Sequence, residues 1–160
     1  MKKNLTKRNY FVVIDNSQEM WKAVHFCMIR AKAIKAKITT ISFAESISDQ
    51  IMLVNSAENI IHEEQIKIEK LNHNKVHSYL KEKLKIDADS KVFMSDDLDG
   101  FIKYLNDYSS NSTIVLASST EIGKPGPLID KLVYEKSNLL KCPLVIISGN
   151  LSNKELESIV

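Results

Sequence analysis

Ile114-Val115-Leu116-Ala117, followed by Ser118-Ser119-Thr120-Glu121-Ile122-Gly123-Lys124-Pro125-Gly126-Pro127, carries more information about the fold than any other stretch of this chain. The first four residues form a short apolar run without alternation, which reads as a strand buried on both faces. The polar loop after it gives way to Leu128–Lys141, where Leu128, Leu132, Leu139 and Leu140 are candidate inward residues of a helix. The chain has only four Gly and three Pro, and Gly123, Pro125, Gly126 and Pro127 all fall in this one loop. Glycine permits positive φ and close approach to a ligand, whereas proline fixes φ. Two readings follow. The loop lies between a strand's C-terminal end and a helix N-terminus, where open parallel sheets bind ligands and free N–H groups favour anions. It is equally well described as a rigid turn with Pro127 at the first helical position.

The same unit recurs on both sides. Upstream, Tyr10–Ile14 is a β-forming run stopped by Asp15-Asn16-Ser17, where Asn16 can cap a helix with Glu19 three residues on. Met20, Val24, Cys27, Ala31 and Ile34 then repeat at helical spacing to about Lys35. Ile38–Phe43 is a second strand, and Ser46–Asn55 is ambiguous. Ser56–Leu84 is a long amphipathic segment whose stripe contains Ile61, Ile68, Leu71, Val76, Leu80 and Leu84. Lys91–Met94 is a short strand, and Asp96–Tyr108 a helix with Leu98, Ile102 and Leu105 inward. Downstream, Cys142-Pro143 leads into a fifth strand, Leu144–Ile147, and Ser152 with Glu155 forms a capping pattern ahead of Leu156, Ile159 and Val160. Strands alternate with helices throughout, and the crossovers are too long for hairpins. The expectation is one α/β domain with a five-stranded, parallel, doubly wound sheet of Rossmann-like type.

Composition narrows the function. A chain of 160 residues is one domain's worth and buries roughly two thirds of the surface exposed on unfolding. The formal charge is +2, and of 22 basic residues only Arg8 and Arg30 are arginine, which argues against nucleic acid as a partner. Cys27 and Cys142 sit in apolar segments without a second ligand at metal spacing and read as reduced core thiols. Met1–Tyr10 is basic, but the apolar run after it ends at Asp15, too short for a signal peptide. No run approaches the ~20 apolar residues of a membrane span. A cytoplasmic protein without a membrane partner is expected.

Several pieces, in order over nearly the whole length, resemble the universal stress protein (UspA) family. Val13-Ile14-Asp15-Asn16-Ser17 is similar to the family's V-x-D-x-S turn, and Ala36–Glu45 to its second strand. Thr113–Ser118 resembles the fourth strand, and Lys141-Cys142-Pro143-Leu144-Val145-Ile146-Ile147 its C-P-V-x-V-V ending. Gly126-Pro127-Leu128 and Gly149-Asn150-Leu151-Ser152 resemble a branch with a G-P-G-P-L loop and a G-N-L-(S/T) tail. The resemblance implies strand order 3-2-1-4-5 and a homodimer. It implies a stress-response role exercised through protein partners, with ATP or another adenine nucleotide bound in many members. It divides the chain into a domain over 1–149 and a short helical tail over 150–160.

The resemblance also nominates binding residues: Asp15 for an adenine contact with Asn16 and Ser17 beside it, Phe43 next to the base, and Ala117, Ser118, Ser119, Thr120, Gly126 and Lys131 around the phosphates. The family's phosphate motif is Gly-x2-Gly-x9-Gly-(Ser/Thr). Counted without gaps back from Cys142-Pro143, its positions fall on Ala117, Thr120, Asp130 and Lys131, none of them glycine. A carboxylate about 4 Å from a phosphate charge costs roughly 4 kcal/mol at an effective dielectric of 20. Asp130 in the cradle would therefore weaken ATP binding by orders of magnitude, with Lys124 or Lys131 offsetting part of it.

Other constellations point less far. His73 and His77, with Glu69 one turn earlier, form a stripe able to bind a metal but are expected on a solvated helix face. Trp21, Phe26 and Met28 are expected in core or dimer packing. Asp15, Asp96 and Asp97 invite comparison with a receiver domain that holds Mg²⁺. Such a domain carries an acidic pair after its first strand and Lys-Pro after its fifth, where this chain has a single Asp and Ser148-Gly149. G-x-S-x-G is absent and no nucleophile adjoins a base in sequence. The expected function is a non-enzymatic, dimeric stress-response module with weak or no nucleotide binding and no metal. The alternative is an adenine-nucleotide (ATP, ADP or AMP) sensor, possibly a slow ATPase.

Overall fold

A computed structural model describes residues 7–46, 55–108 and 111–160, and within the helix that begins at Asn55 the side chains from residue 60 onward. Five strands form one parallel sheet: β1 (Asn9–Val13), β2 (Lys37–Ala44), β3 (Asp89–Met94), β4 (Ser112–Ser118) and β5 (Leu144–Ser148). Their order is β3-β2-β1-β4-β5. The register places Tyr10 beside Ile38 and Thr113, and Leu116 beside Ile146. β2 to β5 each run one or two residues beyond the apolar run, because backbone pairing continues where side chains have turned polar, whereas β1 both begins and ends one residue earlier than Tyr10–Ile14. Most of the ambiguous segment 46–55 lies outside the described residues.

Period-two alternation sends successive side chains to opposite faces. Tyr10, Val12, Ile38, Val115 and Ile147 pack under α1 (Met20–Ile34), the C-terminal half of α2 (Asn55–Leu84) and α5 (Asn153–Ser158). Phe11, Val13, Ile41, Phe93, Ile114 and Leu116 pack under α3 (Leu98–Asp107) and α4 (Pro127–Asp130). The sheet is thus doubly wound, with a hydrophobic cluster on each side. Cys27 and Cys142 are buried, free thiols, one in each cluster, and burial pushes both thiol pKa values up.

Four expectations need correction. Asn16 does not cap α1: it sits at φ 63°, a left-handed conformation open to asparagine, and the Ser17 hydroxyl accepts from the Met20 amide instead. On α2, Ile68 and Leu71 are exposed, because the helix docks on the sheet chiefly through Val76 and Leu80. The helix predicted over Leu128–Lys141 is α-helical only to Asp130. A π-helical turn (Lys131–Glu135) and a short 3₁₀ turn (Ser137–Leu139) follow, and Leu139 is exposed. After Leu132 no inward apolar side chain recurs within a turn to hold an α-helix on the sheet, and Lys136 pairs instead with Asp99 of α3 at 2.9 Å. The fourth correction concerns the histidines. His73 is buried, and His77 half-buried, against β2.

The helix read over Asp96–Tyr108 starts two residues later, at Leu98, while the capping pattern at Ser152 and Glu155 agrees with the structure. Asp97 caps α3, accepting from the Gly100 amide at 3.0 Å, which gives that aspartate a structural place. Ser152 and Glu155 form a reciprocal capping box on α5, and hydrogen bonding to Ser152 lowers the Glu155 pKa. Leu156 of α5 is fully buried in the cluster beneath α1, so the tail docks on its own domain.

Candidate functional site

The strand order reverses between β1 and β4: β1 leads away to β2 on one side, and β4 leads to β5 on the other. Their following loops separate at the C-terminal edge of the sheet, which is where such sheets form a crevice. A cavity of about 600 Å³ opens there. Its apolar wall includes Val13, Phe43, Leu98, Leu116 and Ile129, and its polar wall includes Asp15, Ser17, Glu19, Glu45, Gln65, Glu69, Ser95, Ser119 and Lys131.

Asp15 is fixed by its own turn. Its Oδ1 accepts from the Ser17 amide at 3.0 Å and from the Ser17 hydroxyl at 2.6 Å, and that hydroxyl in turn accepts from the Met20 amide at 3.1 Å. A carboxylate, a hydroxyl and a helix start are thereby coupled, and the other Asp15 oxygen has no protein partner among the described residues. Phe43 is oriented from behind by Phe101, whose ring stands edge-on to it at 5.1 Å, and by Phe93 at 6.0 Å. Its half-buried ring borders the cavity.

The loop after β4 folds back on itself. The Ser119 amide donates to the Pro125 carbonyl at 3.0 Å, the Glu121 amide to the Ser119 hydroxyl at 3.0 Å, and the Lys124 amide to the Glu121 carbonyl at 3.2 Å. Gly123 and Gly126 both take positive φ, 77° and 122°, as the turn requires, and Pro127 starts the helix. This is the rigid-turn reading of the Gly-Lys-Pro-Gly-Pro segment, with Gly126 also on the cavity wall.

Of the residues nominated from sequence, Asp15, Ser17, Phe43, Ala117, Ser119, Gly126 and Lys131 line the cavity together. Asn16, Ser118 and Thr120 do not. Asn16 is the exposed apex of its turn. Ser118 is still paired to Ser148 of β5, and its carbonyl lies so close to Gly149 that a Cβ there would clash. Thr120 is exposed, and its hydroxyl lies 3.4 Å from Glu19. Asp130, expected in the phosphate cradle, is exposed and outside the cavity wall, because the chain reaches it only after Ile129 has turned into the core.

Glu45, Gln65 and Glu69 were not nominated as binding residues. Glu45 carried a faint signal, two residues past Phe43 at the end of β2. Gln65 had none, and Glu69 stood out only beside His73 and His77 as part of a possible metal stripe, because only the register of α2 on the sheet brings the two to the wall.

One helical turn beyond Glu69, a polar network is buried between α2 and β2. His73 Nδ1 lies 2.5 Å and His77 Nε2 2.8 Å from the Thr40 hydroxyl, and His73 Nε2 lies 2.9 Å from the Ser42 hydroxyl. Thr40 also reaches the Asp89 carbonyl at 3.2 Å. A carbonyl only accepts, so the Thr40 proton points there and both histidines donate to Thr40. His73 is then the Nδ1–H tautomer, with Nε2 accepting from Ser42. Burial, with His77 adding to it, pushes the His73 pKa down to about 4. Burial also lowers that of His77, against the raising influence of Asp89 and Asp87. Both rings are neutral at pH 7. Among the described residues no group of three or more His, Cys, Asp or Glu side chains is arranged to hold a metal ion. None of the described helices is long and apolar enough to cross a membrane.

Comparison with known proteins supplies the fold's name. No protein-family model matches the chain, and no curated protein sequence does. Solved structures do. The universal stress protein UspA from Lactobacillus plantarum superposes with a TM-score of 0.71 at 12% identity, over 88% of this chain and 97% of that one. A universal stress protein from Archaeoglobus fulgidus in complex with dAMP superposes with a TM-score of 0.55 at 8% identity, over 88% of this chain and 97% of that one. A universal stress protein in complex with cAMP gives 0.52 at 15% identity, over 89% and 98%. The chain has the universal stress protein fold.

Proposed function

We propose that this protein is a universal stress protein-like module without catalytic turnover, a homodimer in the cytoplasm that acts through protein contacts and whose cavity takes an adenine-type ligand. The observation that carries the reading is a cavity of about 600 Å³ at the strand-order reversal, with Asp15 and Phe43 in its wall. That volume lies within the range of small-molecule sites. The dAMP and cAMP held by two similar structures support an adenine-type occupant. The serine hydroxyls on the wall already have structural tasks: Ser17 is clamped between Asp15 and the Met20 amide, Ser95 holds the Ser46 amide and hydroxyl, and Ser119 closes its own loop. This supports binding rather than chemistry.

The homodimer is supported by β5, which among the described residues pairs with β4 alone and leaves its other edge open. Ile146 on that strand is exposed, as are Val133, Tyr134 and Leu139 in the segment that leads into it. An unprotected edge with apolar flanks favours a second strand, and two-fold symmetry makes the added strand antiparallel.

Calorimetry with AMP and adenosine tests the site. Binding is expected, and Asp15→Ala is expected to weaken it roughly tenfold through loss of one hydrogen bond to a charged group. No heat and no thermal shift at millimolar concentrations of either would overturn the ligand-binding reading. Sedimentation tests the dimer: Ile146→Lys should give a monomer, and a wild-type monomer at tens of micromolar would refute it.

A further inference from the structure

We infer that the cavity selects an uncharged purine nucleoside over its phosphorylated forms. The inference rests on the adenine-type reading above and narrows it by charge. Four carboxylates line the cavity, those of Asp15, Glu19, Glu45 and Glu69, against one ammonium, that of Lys131. Glu45 and Glu69 make no hydrogen bond or ion pair among the described residues, so no described side chain neutralises them. The other lysine of the loop, Lys124, is already paired with Glu121 at 2.6 Å.

A second observation, independent of charge, points the same way. Phosphate cradles are built from backbone N–H groups directed at the ligand. Here the amides of Ser119, Glu121 and Lys124 are used inside the loop, and the helix after it begins with Pro127, which has no N–H. The loop looks glycine-rich in sequence, yet those donors are turned inward. What remains is an apolar wall with Phe43 for a flat base, and the Asp15 carboxylate, whose second oxygen is open to accept from a hydroxyl or amino hydrogen. A nucleoside supplies both kinds of group. A phosphate meets repulsion, and the amides of Ser119, Glu121 and Lys124 are already engaged.

The test is calorimetry on the full chain at fixed salt, with adenosine, AMP and ATP as probes, in EDTA and then in Mg²⁺. Adenosine should bind tightest, AMP roughly tenfold more weakly and ATP at least about a hundredfold more weakly, as the repulsion grows with each charge. The Glu45→Gln, Glu69→Gln double variant should bring AMP to within about threefold of adenosine while adenosine stays within about threefold of wild type. Both replacements are near-isosteric, and an unchanged melting temperature confirms the fold. AMP or ATP binding as tightly as adenosine, in EDTA or with Mg²⁺, would overturn the inference while leaving the adenine-type site standing. So would a double variant with unchanged selectivity. Binding of none of the three would overturn both.

Discussion

The two faces of the sheet are held by different physics. Under α3 the interface is aromatic: Phe11, Phe43, Phe93, Phe101, Tyr104 and Tyr108 meet in mostly edge-to-face pairs with centroids 5.1–6.0 Å apart. Under α2 the corresponding place on β2 is polar, with Thr40 and Ser42 fully buried and hydrogen-bonded to His73 and His77. The first interface depends on packing and is indifferent to protons. The second depends on two imidazoles remaining neutral. One sheet therefore presents a face that responds to volume and a face that responds to pH, and the cavity lies at the edge where both contribute walls.

Truncating the aromatic face should do the most damage. Phe101 is fully buried against Phe43 and Phe93, and Phe101→Ala is expected to destabilise the fold by about 3–5 kcal/mol, by the same amount at pH 7.5 and pH 5. Urea denaturation at the two pH values measures it. A loss that grew in acid would erase the contrast between the faces.

Acid should act on the other face. The folded His73 has a pKa of about 4 against 6.5 when unfolded, so between those values the unfolded chain binds more protons. The histidine contribution to stability is complete above about pH 6.5, falls as pH drops from there to about 4, and amounts to roughly 2–3 kcal/mol once solvent screening is taken off the full shift. His73→Gln, neutral at every pH, should make the unfolding midpoint fall less steeply over this window, with His77 supplying the remaining slope. An unaltered slope would mean that the proton-sensitive group lies elsewhere.

The smallest effect is expected at the tail. Ser152→Ala removes the reciprocal cap of α5 and should cost about 1 kcal/mol. Amide exchange should quicken in α5 before any other helix, because Leu156 alone anchors that helix in the core. Uniform quickening would show that α5 and the sheet unfold as one unit.

The sheet was legible in sequence because a strand buried on both faces leaves an uninterrupted apolar run, as Ile114–Ala117 and Tyr10–Ile14 do. Its order came from the resemblance rather than from any run. Positions next to a strand end, such as Asp15, Phe43 and Ala117, were legible too, since the fold leaves them little freedom. What sequence misjudged depends on distant register. Ile68 and Leu71 fit a helical stripe as well as Val76 and Leu80, yet only the latter pair reaches the sheet. His73 looked like surface because charged residues surround it along the chain, while its partners Thr40 and Ser42 lie more than thirty positions away. The same non-locality hid Gln65 and Glu69. In the loop after β4 the glycines were visible, but the direction of the neighbouring amides was not.

Gln65, Glu69, His73 and His77 follow one another at four-residue intervals along α2, so the cavity wall and the polar anchor share one side of a single rod. At 1.5 Å per residue, Gln65 stands about 12 Å from His73. A rod pivoting by about 5° at the histidines would move Gln65 by roughly 1 Å, about the difference between a hydrogen bond and a gap that needs a water molecule. The width of the opening is in this sense a mechanical reading, taken at the far end of a lever, of three hydroxyl–imidazole bonds outside the cavity wall.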